Sequence, residues 1–149
     1  MRPSELLWKH VETDEAFEPS EPTFATPGSA GIDLAATRPA VVFGGSTRLV
    51  STGIAVKIPP GTVGLICPRS GLAAWYGVTV LNAPGVIDED YRGEIMVLLY
   101  NASGSSHWIE RGDRVAQLLI VPIVRPIISA VVELDDTIRG AGGFGSTGA

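Results

Sequence analysis

Glycine and proline punctuate this chain throughout, with 18 glycines and 11 prolines among 149 residues. The runs between them are short and rich in valine and isoleucine. That pattern predicts short strands joined by tight turns, an all-β fold. With 45% of residues hydrophobic, the chain has the apolar surface for a packed core, and its length suits one domain.

The runs give an order of elements. Residues 6–11 read as a first strand, and residues 12–23 as an acidic exposed loop carrying Pro19 and Pro22. Residues 32–36, 40–43 and 48–50 are short apolar candidates, the last two around the Gly44-Gly45 turn. In residues 53–58 Ile54, Val56 and Ile58 alternate onto one face. After the Pro59-Pro60-Gly61 break, Val63, Leu65 and Cys67 share the next face, which places Cys67 inside. Residues 70–76 are the helical candidate, N-capped by Ser70, with Leu72, Ala73 and Tyr76 on one face and Gly77 as its stop. Residues 78–81 and 94–101 flank a long hairpin. Residues 115–121 are apolar enough for a strand buried on both sides, and residues 127–134 read as the last strand. The Gly-rich residues 137–149 cannot build a core and read as an arm.

Charge and composition exclude several functions. No run is long and apolar enough to span a bilayer. Residues 1–11 lack the features of a signal peptide. The single cysteine, Cys67, permits no internal disulfide and fits a reducing cytoplasm. A formal net charge of −5 without a basic stripe argues against a nucleic-acid binder. A few clustered arginines can still focus potential on a small anion. His10 and His107 carry no ligand constellation and read as surface or packing residues.

Four segments carry chemistry. In Pro68-Arg69-Ser70-Gly71-Leu72, a forked cation, a hydroxyl and the backbone N–H groups opening a helix suit phosphate oxygens. The same residues also suit an ordinary strand-to-helix junction. Residues 82–93 form a hairpin whose backbone can match a planar base edge, and Asp88 there can act as a general base toward water. A solvated acidic turn is the alternative. Asp88, Glu89 and Asp90 lack the pattern of a calcium loop. Gln117 sits within an apolar strand and needs partners for its amide, in a site or on backbone. Arg111-Gly112-Asp113-Arg114 before it reads as a turn with a local salt bridge. The tail from Arg139 to Gly148 formally contains G-x-G-x-x-G, but no βαβ unit follows it, so a dinucleotide fold is rejected. Its glycines, Ser146, Thr147 and Arg139 can instead embrace an anion, and Phe144 can stack on a base; a disordered tail is the alternative.

Together these segments resemble the trimeric dUTPase family. Five motifs stand in the family's order: Ser29-Ala30-Gly31-Ile32-Asp33-Leu34, Pro68-Arg69-Ser70-Gly71-Leu72-Ala73, residues 82–93, Arg111-Gly112-Asp113-Arg114-Val115-Ala116-Gln117, and residues 139–148. The resemblance implies a distorted, jelly-roll-like β-barrel with one short helix, assembled as a homotrimer. It implies a barrel domain over residues 1–136 and a C-terminal arm over residues 137–149, exchanged between subunits. Each site would take the Ser70 and Gln117 segments from one subunit, the Asp88 hairpin from a second and the arm from a third.

The implied reaction is hydrolysis of dUTP to dUMP and pyrophosphate, which lowers dUTP and supplies dUMP for thymidylate synthesis. Asp88 resembles the base that activates water. Arg69, Ser70, Gly71 and Gln117 resemble phosphate ligands, and Asn82 a contact to the nucleotide or an ordered water. Gly85, Val86, Ile87 and Met96 belong to the backbone that would read uracil, with Tyr91 beneath the deoxyribose. Arg139, Gly145, Ser146 and Thr147 would grip the terminal phosphates, with Phe144 stacked on the base. Mg²⁺ is the implied cofactor, carried by the triphosphate and its waters without direct protein ligands; Asp33 is structural or an outer-shell partner. Two rivals remain: a dCTP deaminase of similar fold, against which the Phe-bearing tail argues, and a nucleotide-sensing or protein-binding module without turnover, against which an intact Asp88 argues. The long acidic N-terminal segment, Trp75 and Trp108 depart from the family's pattern.

Overall fold

The computed structural model describes residues 5–11, 19, 21–144 and 146. The short runs become eleven strands and one helix among these residues. A four-stranded sheet runs β1 (Leu7–His10), β5 (Thr47–Lys57), β9 (Glu94–Asn101) and β7 (Val78–Val80). A five-stranded sheet runs β2 (Thr23–Phe24), β3 (Ile32–Ala35), β11 (Arg114–Pro122), β6 (Thr62–Cys67) and β8 (Gly85–Ile87). A small pair joins β10 (His107–Ile109) to β4 (Ala40–Val42). The pairings are antiparallel, and the result is jelly-roll-like without a closed ring of strands.

Alternation supplies the core. Val50, Ile95, Val97 and Leu99 from one sheet meet Leu34, Ile66, Val115 and Leu118 from the other. Asn101 is fully buried at the end of β9, and its amide is satisfied: Nδ2 donates to Val42 O at 2.8 Å and Ser105 O at 2.7 Å, while Oδ1 accepts from Ser103. It ties β9 to β4 at the cost of no open hydrogen bond.

Several expectations change. Residues 48–50 and 53–58 are not separate strands; most of both lies in β5, whose register with β9 shifts between Ser51 and Ala55. Gly53 absorbs that bulge with φ +65°. Cys67 is half-buried rather than inside, because Gly64 and Ile66 take the inward face of β6. A Cβ at Gly64 would stand 2.9 Å from Ile58, 3.0 Å from Leu118 and 3.1 Å from Ile87. The inward position is thus held by a residue that hydrophobic counting skips. Helix α1 spans Ser70–Tyr76 as expected and stops at Gly77 (φ 68°), but Arg69 is the N-cap and makes no side-chain cap. None of its residues is buried; Leu72 alone packs on the core. Strand β11 is buried on successive residues only at Val115 and Ala116; Leu119, Ile120 and Val121 remain half-exposed. Residues 127–134 form no strand: Ile128 is 96% and Val132 101% exposed, with no neighbouring strand to pair them. The acidic loop lies mostly outside the described residues, and its last residue, Thr23, together with Phe24 extends the second sheet as β2.

Candidate functional site

Two clusters form from the predicted residues. The first stands where β3, β6 and β11 meet. Register places Gln117 opposite both Asp33 and Cys67, so the end of β6 delivers Arg69 beside Asp33. Asp33 accepts an ion pair from Arg114 at 3.0 Å and one from Arg69 at 3.6 Å. Arg69 Nη1 also donates to Arg114 O at 2.7 Å. Within the 111–114 turn, Arg114 therefore pairs at long range; the turn itself is closed by Asp113, which accepts from Glu110 N–H at 2.8 Å. Gln117 Nε2 donates to Pro68 O at 3.0 Å, so one half of its amide is satisfied by backbone. Its side chain packs on Gly31, where a Cβ would lie 2.3 Å from Oε1. Glycine is required at Gly31 by that close approach. Ser70 and Gly71 open α1 next to this cluster.

The second cluster is a cavity of about 260 Å³ in the hairpin between β7 and β9, bounded by Asn82, Gly85, Asp88, Tyr91 and Met96. Val86 and Ile87 line it too, through β8, which pairs with β6 from Gly64 to Ile66. The hairpin contains a cis Ala83–Pro84 bond. Asp88 is exposed, and its carbonyl accepts Tyr91 N–H at 3.1 Å. Glu89 pins the hairpin: its carboxylate accepts Gly61 N–H at 3.1 Å and pairs with Arg125 at 3.1 Å. Tyr91 folds over Gly93 and donates its hydroxyl to Glu94 O at 2.9 Å.

The clusters are separate within one chain. Ile87, next to Asp88, lies opposite Gly64, whereas Arg69 leaves the far end of β6 beyond Cys67. At about 3.3 Å per residue, they stand roughly 10 Å or more apart. The tail joins neither cluster among the described residues. Arg139 donates to Gly142 O at 3.2 Å and Ser146 N–H to Gly143 O at 3.0 Å, while Phe144 is fully exposed. Gly145 and Thr147 lie outside the described residues. Among the described residues, no three His, Cys, Asp or Glu side chains converge as a metal cage.

Sequence reasoning missed Glu94 and Glu89. Both hold backbone rather than ligand, and nothing in the local pattern separates such a carboxylate from a solvated one. The only signal for Glu94 is its place beside Gly93, at the mouth of the hairpin. His107 is a packing residue, its ring 4.5 Å from that of Tyr76.

Residues 18–148 match the family model described as dUTPase. A deoxyuridine 5'-triphosphate nucleotidohydrolase of Anaeromyxobacter sp. is 51% identical over 127 residues, covering 85% of this chain and 86% of the relative. One from Clostridium kluyveri is 45% identical over 144 residues, 97% of this chain and 98% of its own. The structure of a mutant Staphylococcus bacteriophage 80alpha dUTPase with dUpNHpp superimposes with a TM-score of 0.86 at 26% identity, over 97% of this chain and 99% of that one.

Proposed function

This chain belongs to the dUTPase family, and on that premise we propose how its own residues hydrolyse dUTP to dUMP and pyrophosphate. The observation that carries the reading is the hairpin cavity, where a carboxylate and a row of backbone edges bound a space of about 260 Å³. Asn82, Gly85, Val86, Ile87 and Met96 hold the uracil, and Tyr91 lies beneath the deoxyribose. Asp88 orients a water and takes its proton. The water oxygen bonds to the α-phosphorus as the bond to the pyrophosphate oxygen breaks. Arg69, Ser70, Gly71 and Gln117 meet the charge that grows on the leaving group. Arg139, Gly145, Ser146 and Thr147 close over the terminal phosphates, and Phe144 stacks on the base.

Mg²⁺ would come as an ion carried by the triphosphate and its waters, since it dehydrates reluctantly and binds through substrate phosphates. When bound it neutralises phosphate charge. Asp33, already engaged by both arginines, serves mainly to hold them.

A homotrimer accounts for the separation of the clusters. The outer face of β5 and β9 supports it: Leu49 lies opposite Leu98, with Leu49 53% and Met96 38% exposed. The uncovered apolar residues of 123–134 support it further, since an exchanged arm would cover them. Among the described residues no helix is long and apolar enough to cross a membrane; a single cysteine suits a reducing cytoplasm as the place of action.

The test is to incubate the protein with each dNTP and Mg²⁺ and measure pyrophosphate. Release from dUTP alone is expected. Ammonia from dCTP, or no turnover of any, would overturn the reading.

A further inference from the structure

We propose that Glu94 is a positioning residue for sugar discrimination: its carboxylate clamps the bulge of β5 while its carbonyl tethers the Tyr91 hydroxyl, fixing the ring that bars a 2′-hydroxyl. This rests on the reading of Tyr91 as the wall beneath the deoxyribose.

Tyr91 is 42% exposed and stands on the loop between β8 and β9. A ring so open to solvent keeps its place only if something holds it. Two contacts do. Its hydroxyl donates to Glu94 O at 2.9 Å. Its ring lies against Gly93, where a Cβ would stand 2.4 Å from Oη and 2.7 Å from Cζ. The tether is only as fixed as the backbone of Glu94.

The bulge fixes that backbone. Ser51 lies opposite Met96 and Ala55 opposite Glu94, so residues 52–54 of β5 face Ile95 alone. A bulge leaves backbone groups without ladder partners. Here Thr52 Oγ1 donates to Ile95 O at 2.6 Å. Gly53 N–H donates to Glu94 Oε1 at 2.8 Å, and Ser51 Oγ donates to the same oxygen. Only glycine fits at this point of the bulge, because φ is +65° and a Cβ there would meet Pro19 at 2.4 Å and Thr37 at 2.6 Å. Thr37 Oγ1 donates in turn to Ser51 Oγ at 3.0 Å. A relay thus runs from Thr37 through Ser51 and Glu94 to Tyr91, with Glu94 the joint between sheet and hairpin.

Such a joint matters because an apolar wall rejects an added hydroxyl poorly unless it cannot yield. Loosening it should admit UTP more than it harms dUTP.

The experiment measures kcat/KM for dUTP and for UTP, with Mg²⁺, in the wild type and in Glu94→Ala, Glu94→Gln, Tyr91→Phe and Tyr91→Ala. Glu94→Gln keeps an acceptor oxygen and should keep the dUTP-to-UTP ratio. Glu94→Ala and Tyr91→Phe should lower it about tenfold, chiefly by raising UTP turnover. A merely structural role would lower both substrates together and leave the ratio. Tyr91→Phe cuts the tether at an exposed position, so it decides the matter even where Glu94→Ala fails to fold. Should Tyr91→Ala lower the ratio while Tyr91→Phe preserves it, the tether is overturned and the reading of Tyr91 stands. Should Tyr91→Ala itself preserve the ratio, that reading falls and the role of Glu94 with it.

Discussion

Asp33 holds two arginines with one carboxylate, and the arginines would otherwise repel each other. The closer pair, at 3.0 Å, is made to an Arg114 side chain that is 51% exposed, so screening limits what it adds to stability, and the pair to Arg69 is longer at 3.6 Å. Asp33→Ala should therefore cost about 1 kcal/mol or less in chemical denaturation. Its larger effect should be on KM for dUTP, raised about tenfold as Arg69 loses its aim; an unchanged KM would detach Asp33 from the site. Asp88→Ala should lower kcat by about 10²–10⁴-fold with the denaturation midpoint unchanged, the range for a positioned base. Turnover at the wild-type rate would remove Asp88 from that role. At this scale the sequence was legible where the candidate residues are neighbours in one hairpin: Asn82, Gly85, Asp88, Tyr91 and Met96 needed only a turn to gather around one cavity. Glu94 was not legible, because its function is to satisfy a backbone N–H that becomes an orphan only once β5 bulges. Nor was the Asp33–Arg114 pair, formed across 81 positions of chain.

Strand β6 shows how an element can be read in place and still be turned over. Its bounds follow from Val63, Leu65 and Cys67, yet the face those residues share is not the one against the core. Gly64 is, since its missing side chain leaves room for Ile58, Ile87 and Leu118. Gly64→Ala offers a direct measure. The added methyl gains backbone order in the folded strand but must displace Ile87 Cβ, which sits on backbone and cannot swing away. Overpacking should win, with a loss of about 1–3 kcal/mol by urea unfolding. Equal or greater stability would mean that the two sheets can part locally. The same element carries Arg69 from its end and pairs with β8 along its middle, so strain there should reach both clusters. Strands β7, β9 and β11 were legible because alternation or a long apolar run marks them. Residues 127–134 have the same marks and no strand, since a strand needs a neighbour and this chain supplies none beside them.

The molecule as a whole sets its two clusters roughly 10 Å or more apart within one copy, and the proposed trimer would join them. Asp88 and Arg69 lie along opposite parts of β6, and the described tail residues bond only among themselves. Motif order in the sequence announces the parts but holds no distance between copies, which is why the assembly is the least legible level. Closed symmetry turns the separation into a prediction. Asp88→Ala subunits lack the base but keep the arm; subunits ending at residue 136 keep the base but lack the arm. Each homotrimer should be inactive while sedimenting as a trimer. Unfolded together in equal amounts and refolded, they should regain activity, because a site drawing its base from one copy and its arm from another can be whole. Random assortment makes each requirement true half the time, so about a quarter of the wild-type sites should return. Activity that never recovers, from mixtures shown by mass to contain both chains, would mean that base and arm come from the same copy. Monomeric truncated subunits would mean instead that the arm holds the trimer together.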